Sequence, residues 1–225
     1  MTVAIETENL SKTYKLGELA VDVLKAINVS INYGEFVSIM GPSGSGKSTL
    51  LYLMGGLDKP TTGRIKIKGR ELSSLNDAEE SLIRRRDIGF VFQFYNLIPN
   101  LNVVENIMLP VMLDGKNEKD YRFKLEQILE LTGLADRRNH TPRELSGGQQ
   151  QRVAIARSLI NEPDIILADE PIGNLDSKTG TDIMQLFKQI NTANKKTIVQ
   201  VTHSKEAAEY GDRIINLKDG RCVTQ

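Results

Sequence analysis

The 225-residue sequence lacks three things, and each absence narrows its function. It has a single cysteine, Cys222, so no disulfide can form within the chain. That fits a reducing compartment, and a lone thiol near the C-terminus reads as incidental. It has no excess charge: Lys and Arg total 29, Asp and Glu total 29, and the net charge is +0. A balanced chain offers no broad basic field, so no nucleic acid is expected among its partners. It has no apolar run of membrane-spanning length. Stretches such as Ile165 to Ala168 and Leu50 to Met54 fall far short of the roughly 20 residues a spanning helix needs. The opening MTVAIETENL carries two glutamates and no basic region, which argues against a signal peptide. A cytoplasmic protein is expected, with any membrane link passing through a partner.

The composition itself is that of a globular protein, 40% hydrophobic and 26% charged, long enough to bury a full core. Short β runs alternate with helical patterns. Strands are expected at Val21 to Ile31, Phe36 to Met40, Ile65 to Ile67, Ile88 to Phe92, Ile165 to Ala168, Thr197 to Val201 and Ile214 to Leu217. Helical spacing joins Tyr121, Leu125, Ile128 and Leu129, and again Ile183, Leu186, Phe187 and Ile190, the latter with Asp176 or Ser177 as N-cap. Alternation of this kind predicts a largely parallel α/β sheet covered on both faces. The first part, to about Ile67, reads as an added antiparallel β subdomain. The stretch from about Asn96 to Arg143 lacks strands and reads as helical.

Gly41-Pro42-Ser43-Gly44-Ser45-Gly46-Lys47-Ser48 matches the full P-loop pattern. It follows the apolar run Phe36 to Met40 and opens an apolar helix, Ser48 to Met54. Glycines let the backbone fold so that successive N–H groups converge on phosphate at a helix start. Lys47 places charge near the β- and γ-phosphates, and the Ser48 hydroxyl suits Mg2+. A glycine turn with a merely solvated Lys47 would not need the whole pattern in this setting. A nucleoside triphosphate is the expected ligand. Downstream, Asp169 and Glu170 end the strand Ile165 to Ala168. Beside a P-loop, Asp169 can hold Mg2+ through its water shell and Glu170 can polarise an attacking water. That pairing suits hydrolysis better than transfer to a metabolite.

Leu145-Ser146-Gly147-Gly148-Gln149 precedes an apolar helix from Gln150 to Ile160 and reads as a second anion-binding helix start, its glycines exposing backbone N–H groups. Two cradles in one chain make sense if a second copy supplies one of them to each nucleotide. This pentapeptide is similar to the signature of ABC transporter nucleotide-binding subunits, and the chain resembles them from about Ile5 to Gly220.

The resemblance implies a P-loop NTPase ABC cassette: a mixed sheet, an antiparallel β subdomain and an inserted helical subdomain at about 96–160, within one ATPase domain spanning 1–225. It implies ATP contacts from Tyr14, which matches the aromatic residue stacking on adenine, from Gly41, Pro42, Ser43, Gly44, Ser45, Gly46, Lys47, Ser48 and Thr49, and from Ser146, Gly147, Gly148, Gln149 and Asp176. Mg2+ is implied at Ser48, Gln93 and Asp169, and catalysis at Glu170, Gln93 and the switch residue His203. Gly173-Asn174-Leu175-Asp176 matches the loop that crosses between subunits.

The P-loop, the Phe92 to Pro99 stretch and Asn174 to Ser177 resemble the macrolide-export and lipoprotein-release branch. Ile172 departs from that branch, which usually has threonine there, without removing a catalytic role. The implied partners are ATP, a second copy in a head-to-tail dimer and an integral membrane permease, placing the chain at the cytoplasmic face of the membrane. Phe94, Tyr95, Leu97 and Ile98 are expected to line the groove that receives the permease.

Three related functions compete. Chromosome and DNA-repair ATPases carry long coiled coils before the signature, where only Phe94 to Glu144 stands here. Ribosome-acting factors carry two cassettes, and this chain has one. A cell-division type ATPase, which transmits force to a membrane partner without moving a substrate, remains open on sequence alone.

Overall fold

Two sheets organise the chain. The computed structural model describes residues 2–17 and 19–223; of the expected 1–225 domain, Met1, Glu18, Thr224 and Gln225 lie outside the described residues. Strands β1 (Val3–Leu16), β2 (Leu19–Asn32), β4 (Thr62–Ile67) and β5 (Arg70–Glu71) form an antiparallel sheet in the order β2-β1-β4-β5. Strands β3 (Phe36–Met40), β6 (Ile88–Val91), β7 (Ile165–Asp169), β8 (Thr197–Thr202), β9 (Arg213–Lys218) and β10 (Arg221–Val223) form the second sheet, in the order β10-β9-β3-β8-β7-β6. Every pairing in it is parallel except β10 with β9.

The inner strands β3, β7 and β8 of the second sheet are buried on both faces, which is why they read as near-continuous apolar runs. Successive side chains point to opposite faces. Along β7, Ile166 and Ala168 join one core with Phe36 and Ile198, while Ile165 and Leu167 join the other with Ile39, Val199 and Val201. The antiparallel sheet and α1 (Lys47–Met54) cover the second core. Helices α3 (Val103–Leu113), α4 (Arg122–Thr132), α5 (Gly147–Leu159) and α6 (Ser177–Asn194) cover the first. The regular elements between residues 96 and 160 are all helical. A short α7 (Lys205–Ala208) follows β8.

Helix α5 starts at Gly147 rather than Gln150, so both signature glycines belong to the helix. Helix α2 (Asp77–Arg86) is one element that the periodicity did not reveal. Its ends are strongly marked, with an Asn76–Glu79 capping box, acids in the first turn and Arg84 to Arg86 in the last. Only Ile83 is buried, however, so no apolar stripe announces it. Among the described residues no helix is long and apolar enough to cross a membrane.

Candidate active site

Four adjacent strand ends build the site. Reading across β3, β8, β7 and β6, the C-terminal ends of parallel strands deliver the P-loop, His203, Asp169 with Glu170, and Gln93. They surround a cavity of 790 Å³ lined by Val23, Ser43, Gly44, Gly46, Lys47, Ser48, Thr49, Gln93, Glu170 and His203. Residues more than 150 positions apart thereby share one pocket.

The loop is shaped for an anion. Gly46 is the N-cap of α1 at φ 97°, and no side chain caps the first turn. The first-turn N–H groups of a helix have no intrahelical acceptor, so here they are left for a ligand. Gly44 adopts φ 77° with nothing within 4 Å of where a Cβ would stand, so it faces open space. At Gly41 a Cβ would sit 2.0 Å from the Leu217 carbonyl oxygen, so the loop lies flat against β9. Lys47 Nζ donates to the Gly41 and Pro42 carbonyls, both at 3.0 Å, which aims the ammonium into the loop. Ser45 Oγ is buried without a protein partner. An uncapped helix start, positive-φ glycines and an inward lysine fit a triphosphate.

Two of the residues expected to hold Mg2+ also meet. Ser48 Oγ donates to Asp169 Oδ1 at 2.9 Å, and the Tyr52 hydroxyl donates to Asp169 Oδ2 at 2.7 Å. Among the described residues no group of three or more His, Cys, Asp or Glu could hold a metal alone. A hydroxyl, one carboxylate and phosphate oxygens are the donor set Mg2+ uses in nucleotide sites. Gln93 lines the same pocket as Ser48 and stands beside Glu170: a Cβ at Gly173 would lie 3.1 Å from Gln93 Nε2 and 3.4 Å from Glu170 Oε2.

Glu170 takes φ 45°, a costly conformation for a non-glycine residue that is found where the surroundings dictate it. Its Oε2 lies 2.5 Å from His203 Nδ1, so the two side chains form a hydrogen-bonded pair. Tyr14 stands at the rim beside Thr49 rather than in the lining. Its hydroxyl donates to Asp58 Oδ2 at 2.6 Å, and the Lys12 ammonium, itself bonded to Asp58, lies 4.7 Å from its ring centroid. Burial, then the bond to Asp58, raises the Tyr14 pKa.

The signature and the crossing loop stand apart from this pocket. Ser146 to Gln149 and Asp176 are absent from its lining. Ser146 Oγ accepts from the Gln149 N–H at 3.3 Å and Gln149 Oε1 accepts from the Ser146 N–H at 2.9 Å, a complete capping box. The glycines serve close packing. A Cβ at Gly148 would lie 2.3 Å from Thr179 Cγ2 on α6, and one at Gly147 would lie 3.0 Å from the Tyr95 hydroxyl. Asp176 caps α6 through Thr179, whose hydroxyl holds the Asp176 carboxyl below its usual range.

The expected permease surface is divided. Phe94 is 72% exposed and Ile98 42% exposed, but Tyr95 turns under Gly147 and Leu97 packs against the helical core. None of the four lines the nearby groove formed by Phe90, Phe92, Leu109, Pro110 and Leu113. Two left-handed residues, Tyr95 at φ 60° and Asn96 at φ 49°, reverse the chain here, and Arg157 donates to both of their carbonyls. That reversal turns Tyr95 and Leu97 inward. Ile172 packs against α6, 3.5 Å from where a Cβ on Gly180 would be.

A model of the family described as ABC transporter matches residues 24–173. An ABC transporter ATP-binding protein of Thermotoga maritima is 48% identical over 221 residues, covering 98% of this chain and 94% of the relative. The chain belongs to the ABC transporter family. This cassette is also similar to the lipoprotein-releasing system ATP-binding protein LolD of Xanthomonas campestris, at 44% identity over 96% of this chain and 91% of that protein. A dimeric structure of a post-hydrolysis state of the ATP-binding cassette MJ0796, bound to ADP and Pi, matches with TM-score 0.90 at 51% identity, covering 98% of this chain and 97% of that one. MJ0796 comes from Methanocaldococcus jannaschii.

The cassette is thus the ATP-binding and ATP-hydrolysing subunit of an ABC transporter, uses ATP with Mg2+, and serves a separate membrane permease. Sequence reasoning missed Val23, Lys12, Asp58 and Tyr52. For Tyr52 a signal existed, since it stands four residues after Ser48 on one helix. The other three reach the site only through strand pairing and the turn after α1.

Proposed function

We propose that this ABC cassette closes head to tail on a second copy around two ATP molecules, and that closure drives export or lipoprotein extraction through its permease. One observation carries the reading: the pocket holds the P-loop, Glu170, His203 and Gln93, while the exposed, self-capped Ser146 and Asp176 lie outside it. A second copy can bring that segment to the open side of the pocket. The dimeric MJ0796 cassette and the lipoprotein-releasing relative support it. Because the substrate is ATP, the cassette works at the cytoplasmic face of the membrane, held there by the permease. The exposed Phe94, next to Gln93 in the chain, and the exposed Ile98 stay available for that contact.

Within the site, Tyr14 stacks on adenine and the N–H groups at the start of α1 hold the phosphates. Lys47 leaves the loop carbonyls for the β- and γ-phosphate oxygens, and Ser48, Asp169 and Gln93 would hold Mg2+. That ion, when bound, offsets charge on the β- and γ-phosphates. Glu170 takes a proton from water as the water oxygen bonds to the γ-phosphorus and the bond to ADP breaks. His203 orients the Glu170 carboxylate and reaches toward the γ-phosphate. Closure excludes bulk water and completes the site. Residues 96–160 move as a helical subdomain of the single domain and carry the signature to the opposite nucleotide.

The test is Glu170→Gln, which keeps shape but removes the base, a role worth about 10²–10⁴ in rate. Hydrolysis is expected to fall by that factor, with an ATP-dependent dimer peak in size-exclusion chromatography. A monomer peak with undiminished hydrolysis would overturn the reading.

A further inference from the structure

Tyr52 follows Ser48 by four residues on α1, so both hydroxyls project from one helix face. They divide one carboxylate between them. Ser48 Oγ donates to Asp169 Oδ1 at 2.9 Å and the Tyr52 hydroxyl donates to Oδ2 at 2.7 Å. The Asp169 carboxylate cannot rotate without breaking one of these bonds. Asp169 is only 7% exposed, so few waters can replace a lost partner. Hydrogen bonds to an ionised acceptor are the stronger kind, and removing one leaves a buried charge under-solvated. The Tyr52 ring is held from its other side: its centroid lies 6.5 Å from that of Phe92, which stacks at 5.7 Å on Phe90. Phe92 directly precedes Gln93.

We propose that Tyr52 is a positioning residue for Mg2+, pinning Asp169 Oδ2 so that Oδ1, beside Ser48 Oγ, is the oxygen presented to the cation and its waters. The proposal rests on Ser48 and Asp169 being the Mg2+ residues. Tyr52 acts only through Asp169. Outer partners of metal ligands typically change metal affinity 10–100-fold when removed.

Tyr52→Phe deletes the hydroxyl and keeps the ring against Phe92. Binding of a fluorescent ATP analogue to the full chain is measured in EDTA and across a Mg2+ titration. In EDTA the affinity is expected to stay within about twofold of the parent, while the Mg2+ concentration for half-maximal tightening rises about tenfold. An unchanged Mg2+ midpoint would overturn the proposal. So would an equal loss of affinity with and without Mg2+, which would make Tyr52 a packing residue. Asp169→Asn in parallel separates the two levels. A Mg2+ titration unmoved by Asp169→Asn removes the metal assignment and the proposal with it. A titration moved by Asp169→Asn but not by Tyr52→Phe removes the Tyr52 proposal alone.

Discussion

Helices α1 and α5 both carry a positive N-terminus, yet their starts are built in opposite ways. Helix α1 begins at Gly46, at φ 97° and without a side-chain cap. Helix α5 begins at Ser146 inside a reciprocal capping box with Gln149. Each helix carries roughly half a positive charge at its N-terminus. In α1 that charge and its free N–H groups face a pocket of the same chain. In α5 the Gln149 N–H is satisfied internally, and the exposed Ser146 hydroxyl hydrogen remains to be donated outward. The first start needs an anion to be complete. The second is stable by itself and can be carried on a surface to another molecule. That difference suits a composite site shared by two chains.

The largest expected effect comes from mixing variants that damage one start each. Lys47→Ala and Ser146→Arg are each expected to lose on the order of 10²–10³ in hydrolysis, as when one transition-state donor is removed. A heterodimer of the two has one doubly damaged site and one intact site, so the mixture recovers ATPase activity that neither parent shows. If the mixture stays as inactive as the parents while heterodimer demonstrably forms, the two starts do not meet across chains.

Next in size is Gly46→Ala. Its Cβ would lie 2.8 Å from the Val23 carbonyl oxygen, at a φ that L-residues rarely adopt. Strain of this kind is worth about 2 kcal/mol, which lowers Tm by roughly 4–8 °C in a chain of this size. Nucleotide affinity measured by fluorescence titration falls with it. An unchanged Tm would mean that the α1 start is less constrained than its geometry requires.

The smallest effect belongs to Ser146→Ala, which removes a cap worth about 1 kcal/mol and lowers Tm by roughly 2–4 °C. ATP binding by the isolated monomer is expected to stay unchanged, because Ser146 is outside the chain's own pocket. A loss of monomer affinity as large as that of Gly46→Ala would erase the contrast between the two helices.

Much of the site was legible in the sequence because it is written locally. The P-loop, the Asp169-Glu170 pair at the end of β7, and the Asp176 cap of α6 each lie within a few consecutive residues, and their geometry follows from backbone conformation and helix-start chemistry. The anticipated strands Phe36 to Met40, Ile165 to Ala168 and Thr197 to Val201 have the same origin, since burial on both faces leaves an apolar run. Phe94, Tyr95, Leu97 and Ile98 do not line one groove: the first and last are exposed, while Tyr95 and Leu97 turn inward. Apolar character cannot say which way a side chain turns, and here two consecutive left-handed residues decide it.

The sequence by itself determined that this chain binds a nucleoside triphosphate on an α/β sheet and carries a second helix start of ABC type. Tertiary structure alone decided what surrounds those motifs. The sheet order β3-β8-β7-β6 sets Lys47, His203, Glu170 and Gln93 side by side, although the chain visits those strands in another order. Only the packing of α5 on α6 shows that Gly148 is held small by Thr179, and only α1 against β7 brings Tyr52 to Asp169. The physical reason is common to all three. A motif is a local backbone conformation, set by a few adjacent residues, whereas a contact between distant elements is set by how their buried faces pack.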